Sequence, residues 1–177
     1  MTAGIILEGP DGVGKTTFGK YLESQGWYYQ HFPIVPQTNA DGFIQEMIKW
    51  FPDLDLKLLQ NRNLKVVIDR FWLSTIVYQG VDLLDPRLDP LRTKTFHYFS
   101  ILIMIPLETP SLESFLLSMK YEDLYRQLRT RLYHVPVGAI WLKDHKIVKS
   151  EFSPDFDIGL LPVLRGYFEG GLEVKEL

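Results

Sequence analysis

The chain has 177 residues, 46% of them hydrophobic, including eleven Phe, nine Tyr and four Trp, which suits one compact domain over 1–177 with a substantial core. A formal net charge of −3 and a pI of about 5.8 argue against broad binding to a nucleic-acid polymer, which needs a basic surface; a small anion in a local basic cluster is still compatible. With no Cys there is no disulfide framework, thiolate zinc site or Cys nucleophile, which fits a reducing, cytoplasmic setting. Met1 to Glu8 lacks the basic n-region of a signal peptide, and no apolar run reaches the roughly 18 residues of a membrane span.

In chain order, Ala3 to Glu8 reads as a buried strand, Gly9 to Gly14 as a glycine-rich turn, and Lys15 to Gln25 as a helix with Phe18 and Leu22 four apart. Trp27 to Phe32 reads as a second strand. Gly42–Phe51 and Leu54–Asn61 read as two short helices broken at Pro52. Leu64 to Asp69 is a β-branched central strand, Phe71 to Gly80 a helix, and Leu83 to Pro90 a surface connection. Leu91 to Phe99 is helical and Ser100 to Pro106 a continuous apolar strand. Leu112–Met119 and Glu122–His134 read as helices with a break near Lys120. Ala139–Lys143 and Lys146–Glu151 form a hairpin through Asp144-His145, and a last helix over Ile158–Phe168 stops at Gly170-Gly171. Apolar strands alternating with helices predict a mainly parallel sheet covered on both faces, a three-layer α/β/α architecture.

Gly9-Pro-Asp11-Gly12-Val13-Gly14-Lys15-Thr16 fits G-x-x-x-x-G-K-[ST] between a strand and a helix. A triphosphate is held by several backbone N–H groups aimed into one concavity, so the chain must turn tightly without Cβ atoms in the way. The following helix aims its own N-terminal N–H groups at the same anion. Lys15 reaches the β and γ phosphates of ATP, and the Thr16 hydroxyl serves Mg²⁺. The fold class is therefore that of the P-loop NTPases, with Thr17 the next residue along the loop.

P-loop proteins run several chemistries, and the loop alone does not choose among them. Val66-Val-Ile-Asp69 puts a carboxylate at a strand end, where it can hold Mg²⁺ through water. Arg70 stands where many ATPases have a water-activating Glu, and a cation there suits a second bound anion. GTPase-style base recognition through Asn-Lys-x-Asp is absent; Leu142-Lys-Asp144 does not match it. These features favour phosphoryl transfer to a phosphorylated acceptor.

Glu8-Gly-Pro-Asp-Gly-Val-Gly-Lys-Thr-Thr17 and Asp69-Arg-Phe-Trp-Leu-Ser-Thr-Ile-Val-Tyr-Gln79 together resemble the phosphate loop and D-R-[YFH]-x-x-S-x-x-A-Y-Q segment of thymidylate kinases. Phe32-Pro33, with Thr38 and Gly42, is similar to that family's F-P loop. Lys120-Tyr-Glu122 with the following Arg126, Arg129 and Arg131 resembles a shortened lid around 117–131. The resemblance implies ATP and Mg²⁺ as cofactors and a deoxynucleoside monophosphate as acceptor, dTMP first. It implies that Asp11 sits near the acceptor sugar and the metal and that Arg70 clamps the acceptor phosphate. Thr75 matches a base-contacting position, and Tyr78 matches one that favours deoxyribose; Ser74 and Gln79 belong to the same substrate segment. With Gly at position 12, the transition-state arginine falls to the lid: Arg126 first, then Arg129 or Arg131, with Lys120 assisting.

The chain also departs from the family pattern. Ile34 to Thr38 lacks the family's phosphate-binding Arg, and no clear match exists to the Phe and Arg that hold thymine. Trp50 or Phe51 is the available stacking face, and core packing is the weightier reading of both. The trimmed segments suit a divergent enzyme, with a virus among its sources and a host cytoplasm as its setting. Relatives commonly pair as homodimers, which the apolar helix surface here permits. The competing readings are a deoxynucleoside kinase with Glu8 as base, an ATPase driving another macromolecule, and an inactive nucleotide-binding module.

Overall fold

A computed structural model describes residues 3–33, 39–132 and 134–169. Six strands form one sheet: β1 (Gly4–Glu8), β2 (Tyr28–His31), β3 (Val66–Asp69), β4 (Phe99–Pro106), β5 (Val137–Lys143) and β6 (Lys146–Phe152). Their order is β2-β3-β1-β4-β5-β6. The first five run parallel and β6 returns antiparallel to β5. The helices are α1 (Lys15–Ser24), α2 (Ala40–Gln60), α3 (Leu73–Gln79), α4 (Asp89–Tyr98), α5 (Leu112–Arg131) and α6 (Leu161–Tyr167).

The expected three layers are present. In β1, Ile6 packs toward the core shared with α2, α3, α4 and α5, whereas Ile5 and Leu7 pack toward α1 and α6. Successive strand residues face opposite sides, so a strand covered on both sides must be apolar throughout. The chain leaves β1 for β2 and β3 on one side and later takes β4 and β5 on the other. The carboxyl ends of the strands beside β1 thus form the natural crevice of such a sheet. No described helix is long and apolar enough to cross a membrane.

Two helices run through the breaks expected from sequence. α2 is continuous across Pro52, and α5 is continuous across Lys120. In α2 the residues Phe43, Ile44, Met47, Phe51 and Leu54 form one buried face, while Pro52 lies on the exposed side. Burial of that face outweighs the missing proline N–H. In α5 the residues Ser118, Tyr121, Leu124, Tyr125 and Leu128 are buried against the sheet. The segment expected to be a lid over 117–131 is thus part of a packed helix. Asn39 caps α2 by accepting from the Gly42 N–H at 2.7 Å, and Ser111 caps α5 by accepting from the Ser114 N–H at 3.1 Å.

The other differences are smaller. The 83–90 connection holds a one-turn 3-10 helix (Pro86–Leu88) and buries Leu83 and Leu88. The last helix divides into a 3-10 turn (Ile158–Leu160) followed by α6. The β5–β6 hairpin turns at Asp144 and His145, both with positive φ, the twist a two-residue hairpin needs. Thr38 and the Gly170-Gly171 stop lie outside the described residues.

Because Pro52 is exposed inside a continuous helix, Pro52→Ala removes a clash and restores a donor without losing packing. The helix gain of up to about 3 kcal/mol is offset by about 1 kcal/mol of added unfolded-state freedom. A net stabilisation of about 2 kcal/mol is expected in urea denaturation. Two separate helices would instead show no gain.

Candidate active site

The loop between β1 and α1 curls at the carboxyl end of the central strand. Gly9 has φ 150°, and a Cβ there would lie 2.4 Å from the Met104 carbonyl oxygen, so the loop can press against β4 only with glycine. Gly14, at φ 105°, makes the left-handed turn from which α1 starts at Lys15. The N-terminal N–H groups of α1 therefore face the crevice.

A hollow of about 400 Å³ opens there, lined by Asp11, Gly12, Gly14, Lys15, Thr16, Thr17, His31, Pro33, Asp69 and Arg70. The structure thus gathers phosphate-loop residues and the Asp69-Arg70 pair around one space. An adjoining hollow of about 280 Å³ is lined by Gly12, Val13, Pro106, Glu108 and the hairpin tip from Leu142 to His145.

Lys15 is 5% exposed, and its ammonium donates to the Pro10 carbonyl at 2.7 Å. Arg70 follows β3 in a left-handed conformation, φ 68°, which is costly for a residue with a Cβ. Its backbone N–H donates to the Leu7 carbonyl at 3.0 Å, which fixes the turn to β1. The guanidinium is nearly buried. It donates to the Asp11 carboxylate, to Tyr78 Oη at 3.4 Å, to Tyr121 Oη at 3.4 Å and to Ser74 Oγ at 3.5 Å. Burial works against its charge, yet Tyr121, Tyr78, Asp11 and Glu8 together hold it above the ordinary arginine range.

Behind the guanidinium lies Glu8, fully buried at the end of β1. Its carboxylate accepts from the Ser74 N–H at 3.0 Å and from Ser74 Oγ at 2.7 Å, so it caps the start of α3 from a different strand. Burial raises its pKa, opposed by Ser74, Arg70 and Lys15. Ser74 Oγ also lies 3.2 Å from Tyr121 Oη.

Asp69 is wholly buried at the end of β3. Its Oδ2 accepts from Thr16 Oγ1 at 2.8 Å and from Tyr29 Oη at 2.7 Å, and His31 Nδ1 lies 3.2 Å away. Oδ1 has no hydrogen-bond partner. A buried carboxylate oxygen without a partner, beside a threonine hydroxyl next to the phosphate loop, is a donor set suited to a hydrated hard cation. No group of three or more His, Cys, Asp or Glu that could hold a metal occurs among the described residues. A divalent ion here would thus draw most of its ligands from water and nucleotide phosphates.

Other expected site residues lie elsewhere. Thr75 is fully buried and donates to the Trp72 carbonyl, so its hydroxyl is spent within the helix turn. Phe32 and Phe51 are core residues, each against Phe71. Trp50 is half-buried and stacks on Tyr28 at 6.3 Å. Gln79 is half-buried at the end of α3. Arg126 is exposed and paired with Glu122 at 2.9 Å. Arg129 donates to Tyr125 Oη at 3.0 Å and lines a groove with Val135 and Ser153, next to the start of β5, at the end of the sheet away from the phosphate loop. Arg131 and Lys120 are exposed. The α5 arginines do not line the hollow, and the helix that carries them packs against the sheet.

Sequence reasoning missed Tyr29, His31 and Tyr121. Tyr29 and His31 stand two apart on β2, but only the parallel register that sets His31 opposite Asp69 gives them meaning. Tyr121 belongs to the Lys120-Tyr-Glu122 pattern that reads as a lid.

The Lys15 pKa is lowered to about 8, by burial first and by Arg70 next, against the pull of Asp69, Asp11 and Glu8. The unfolded chain keeps this proton up to about 10.5. Between those values the unfolded state binds more protons, so this group makes stability rise with pH. Below about pH 8 its charge is a constant cost. Lys15→Met is expected to be more stable than the parent near neutral pH, with the gap narrowing as pH climbs from about 8 toward 10.5. Paired urea titrations across that range check this.

No protein-family profile and no curated protein sequence matches the chain. Solved structures do. The thymidylate kinase of Ehrlichia chaffeensis superposes with a TM-score of 0.52 at 18% identity, over 93% of this chain and 98% of that one. The Bacillus subtilis YorR protein, solved in complex with phosphorylated GDP, superposes with a TM-score of 0.51 at 18% identity, over 79% of this chain and 84% of its own. What these neighbours share with the chain is the fold: the three-layer α/β/α P-loop kinase architecture.

Proposed function

We propose that the protein is a nucleoside monophosphate kinase that transfers the γ-phosphoryl group of ATP to a deoxynucleoside monophosphate, with dTMP the first candidate. The observation that carries this reading is the pairing of two buried cations, Lys15 and Arg70, on the wall of one hollow. The glycine loop and the start of α1 supply the backbone donors for one polyphosphate. Arg70 supplies the planar fork for a second phosphate. The hollow beside Val13 and the hairpin tip suits the nucleoside end of ATP. The likeness to a thymidylate kinase fold agrees with this assignment.

In this mechanism an oxygen of the acceptor phosphate attacks the γ phosphorus in line, the bond to the bridging oxygen breaks, and ADP leaves. The attacking oxygen is already anionic near neutral pH, so no strong base is required. Thr16 and Asp69 would hold magnesium, which neutralises charge on the transferring group when bound. Lys15 balances charge on the phosphates in flight. Arg70 orients the acceptor after releasing Asp11, which is then free to meet the acceptor sugar. Catalysis rests on positioning and preorganised charge. The side-chain cations at hand are Lys15 and Arg70; for Arg126 or Arg129 to contribute, α5 would have to leave its packed position.

Glu8 weighs against a deoxynucleoside kinase. Its carboxylate is engaged by Ser74 and does not line the hollow, so it is poorly placed to take a proton from an acceptor hydroxyl. Arg70 in place of a water-activating carboxylate weighs against an ATPase. Homodimerisation and a cytoplasmic location belong to the same reading.

ADP release coupled to a colour reaction, run across the deoxynucleoside monophosphates, nucleosides and no acceptor, tests the proposal. Release is expected only with a monophosphate. Nucleoside-dependent or acceptor-independent release would sink it. Lys15→Ala is expected to abolish transfer with the fold intact. Arg70→Ala should lower kcat/KM for the acceptor by about a hundredfold or more while leaving ATP affinity little changed.

A further inference from the structure

Asp69 Oδ2 carries that carboxylate's partners, whereas Asp69 Oδ1 is buried with no hydrogen-bond partner. Of the groups at Oδ2, Thr16 belongs to the phosphate loop, but Tyr29 and His31 come from β2, which the phosphate-loop pattern does not include. Tyr29 reaches Asp69 through a purpose-made gap. A Cβ on Gly19 of α1 would lie 2.4 Å from Tyr29 Cε2 and 2.9 Å from its Cδ2, so the ring crosses α1 only because position 19 is glycine. The Lys20 ammonium sits 4.5 Å from the ring centroid and holds the outer face. The phenol is thus clamped between α1 and a cation with its hydroxyl 2.7 Å from Oδ2.

We infer that Tyr29 is a positioning residue for the divalent-cation site, locking the Asp69 carboxylate so that Oδ1 is the oxygen left for a metal-bound water. This rests on the kinase reading in so far as the cation arrives with a nucleotide. The geometry supports it in two ways. A carboxylate held by one hydrogen bond can rotate about its Cβ–Cγ bond and exchange its oxygens; one held by donors from the phosphate loop and from β2 cannot. The Thr16 hydroxyl spends its hydrogen on Oδ2, which leaves its lone pairs for the cation. Partners that orient a metal's ligands in this way commonly change metal affinity when removed.

The test measures free Mn²⁺ by electron paramagnetic resonance during titration of the protein with Mn²⁺ and β,γ-methylene ATP, alongside analogue binding in EDTA and thermal unfolding. Tyr29→Phe keeps the ring and drops only the hydroxyl. It is expected to weaken Mn²⁺ binding about tenfold with metal-free analogue affinity unchanged. Gly19→Ala, which pushes the ring aside without touching Asp69, is expected to weaken Mn²⁺ in the same direction; if that variant fails to fold, Tyr29→Phe decides alone. Tyr29→Phe holding Mn²⁺ as tightly as the parent overturns the inference. So does an equal loss of metal and metal-free nucleotide binding, which would mark Tyr29 as merely structural. A parent protein that binds no Mn²⁺ with the analogue overturns the kinase reading as well, a result readily told apart from the others.

Discussion

Glu8 and Arg70 are buried at the ends of two neighbouring parallel strands and joined through Ser74, and the site is arranged around that link. An ionisable group left without partners at that depth would be costly. Together, with Ser74 bridging them through its hydroxyl and Tyr121 closing the far side, they become a supported network. The same contacts tie the end of β1, where the phosphate loop begins, to the start of α3. They also hold Arg70 in a left-handed backbone conformation that it would not choose in isolation. That turn keeps the guanidinium at the mouth of the crevice; an extended backbone there would continue β3 and carry the side chain elsewhere.

Both cations rest on protein oxygens. Lys15 rests on the Pro10 carbonyl and Arg70 on the Asp11 carboxylate. These partners belong to the phosphate loop itself and are replaceable: one is a neutral carbonyl, the other an exposed carboxylate. An incoming phosphate offers more charge and more acceptor oxygens than either. Neither buried cation is therefore left unpaired, and on the proposed reading both would exchange these partners for phosphate oxygens.

On the kinase reading proposed above, the packing of α5 bears on where transition-state charge would come from. Its buried side holds Tyr121, Leu124, Tyr125 and Leu128, and its arginines sit on exposed or distant turns with partners of their own. With glycine at position 12, that reading puts charge compensation on Lys15, Arg70 and the end of α1. Tyr121, the α5 residue that does reach the site, supports Arg70 and takes no part of its own in the chemistry proposed here.

The phosphate loop and the alternation of strands and helices were legible in the sequence because both rest on local rules. Glycine spacing makes the turn, and apolar runs bury strands on two faces. Asp69 and Arg70 were legible for the same reason, as the end of a recognisable strand. The helix breaks expected at Pro52 and Lys120 do not occur, because local breaking signals compete with apolar faces whose burial only the assembled core decides. The same applies to Thr75 and Phe51, whose side chains could serve a ligand or the core, and which packing assigned to the core. Tyr29 and His31 gain a role only from the register of β2 on β3. By itself the sequence determined which side chains stand in the glycine turn and at the end of β3; the tertiary structure decided which of them meet, because strand order and helix packing join residues as far apart as Ala3 and Tyr98, a separation no local pattern encodes.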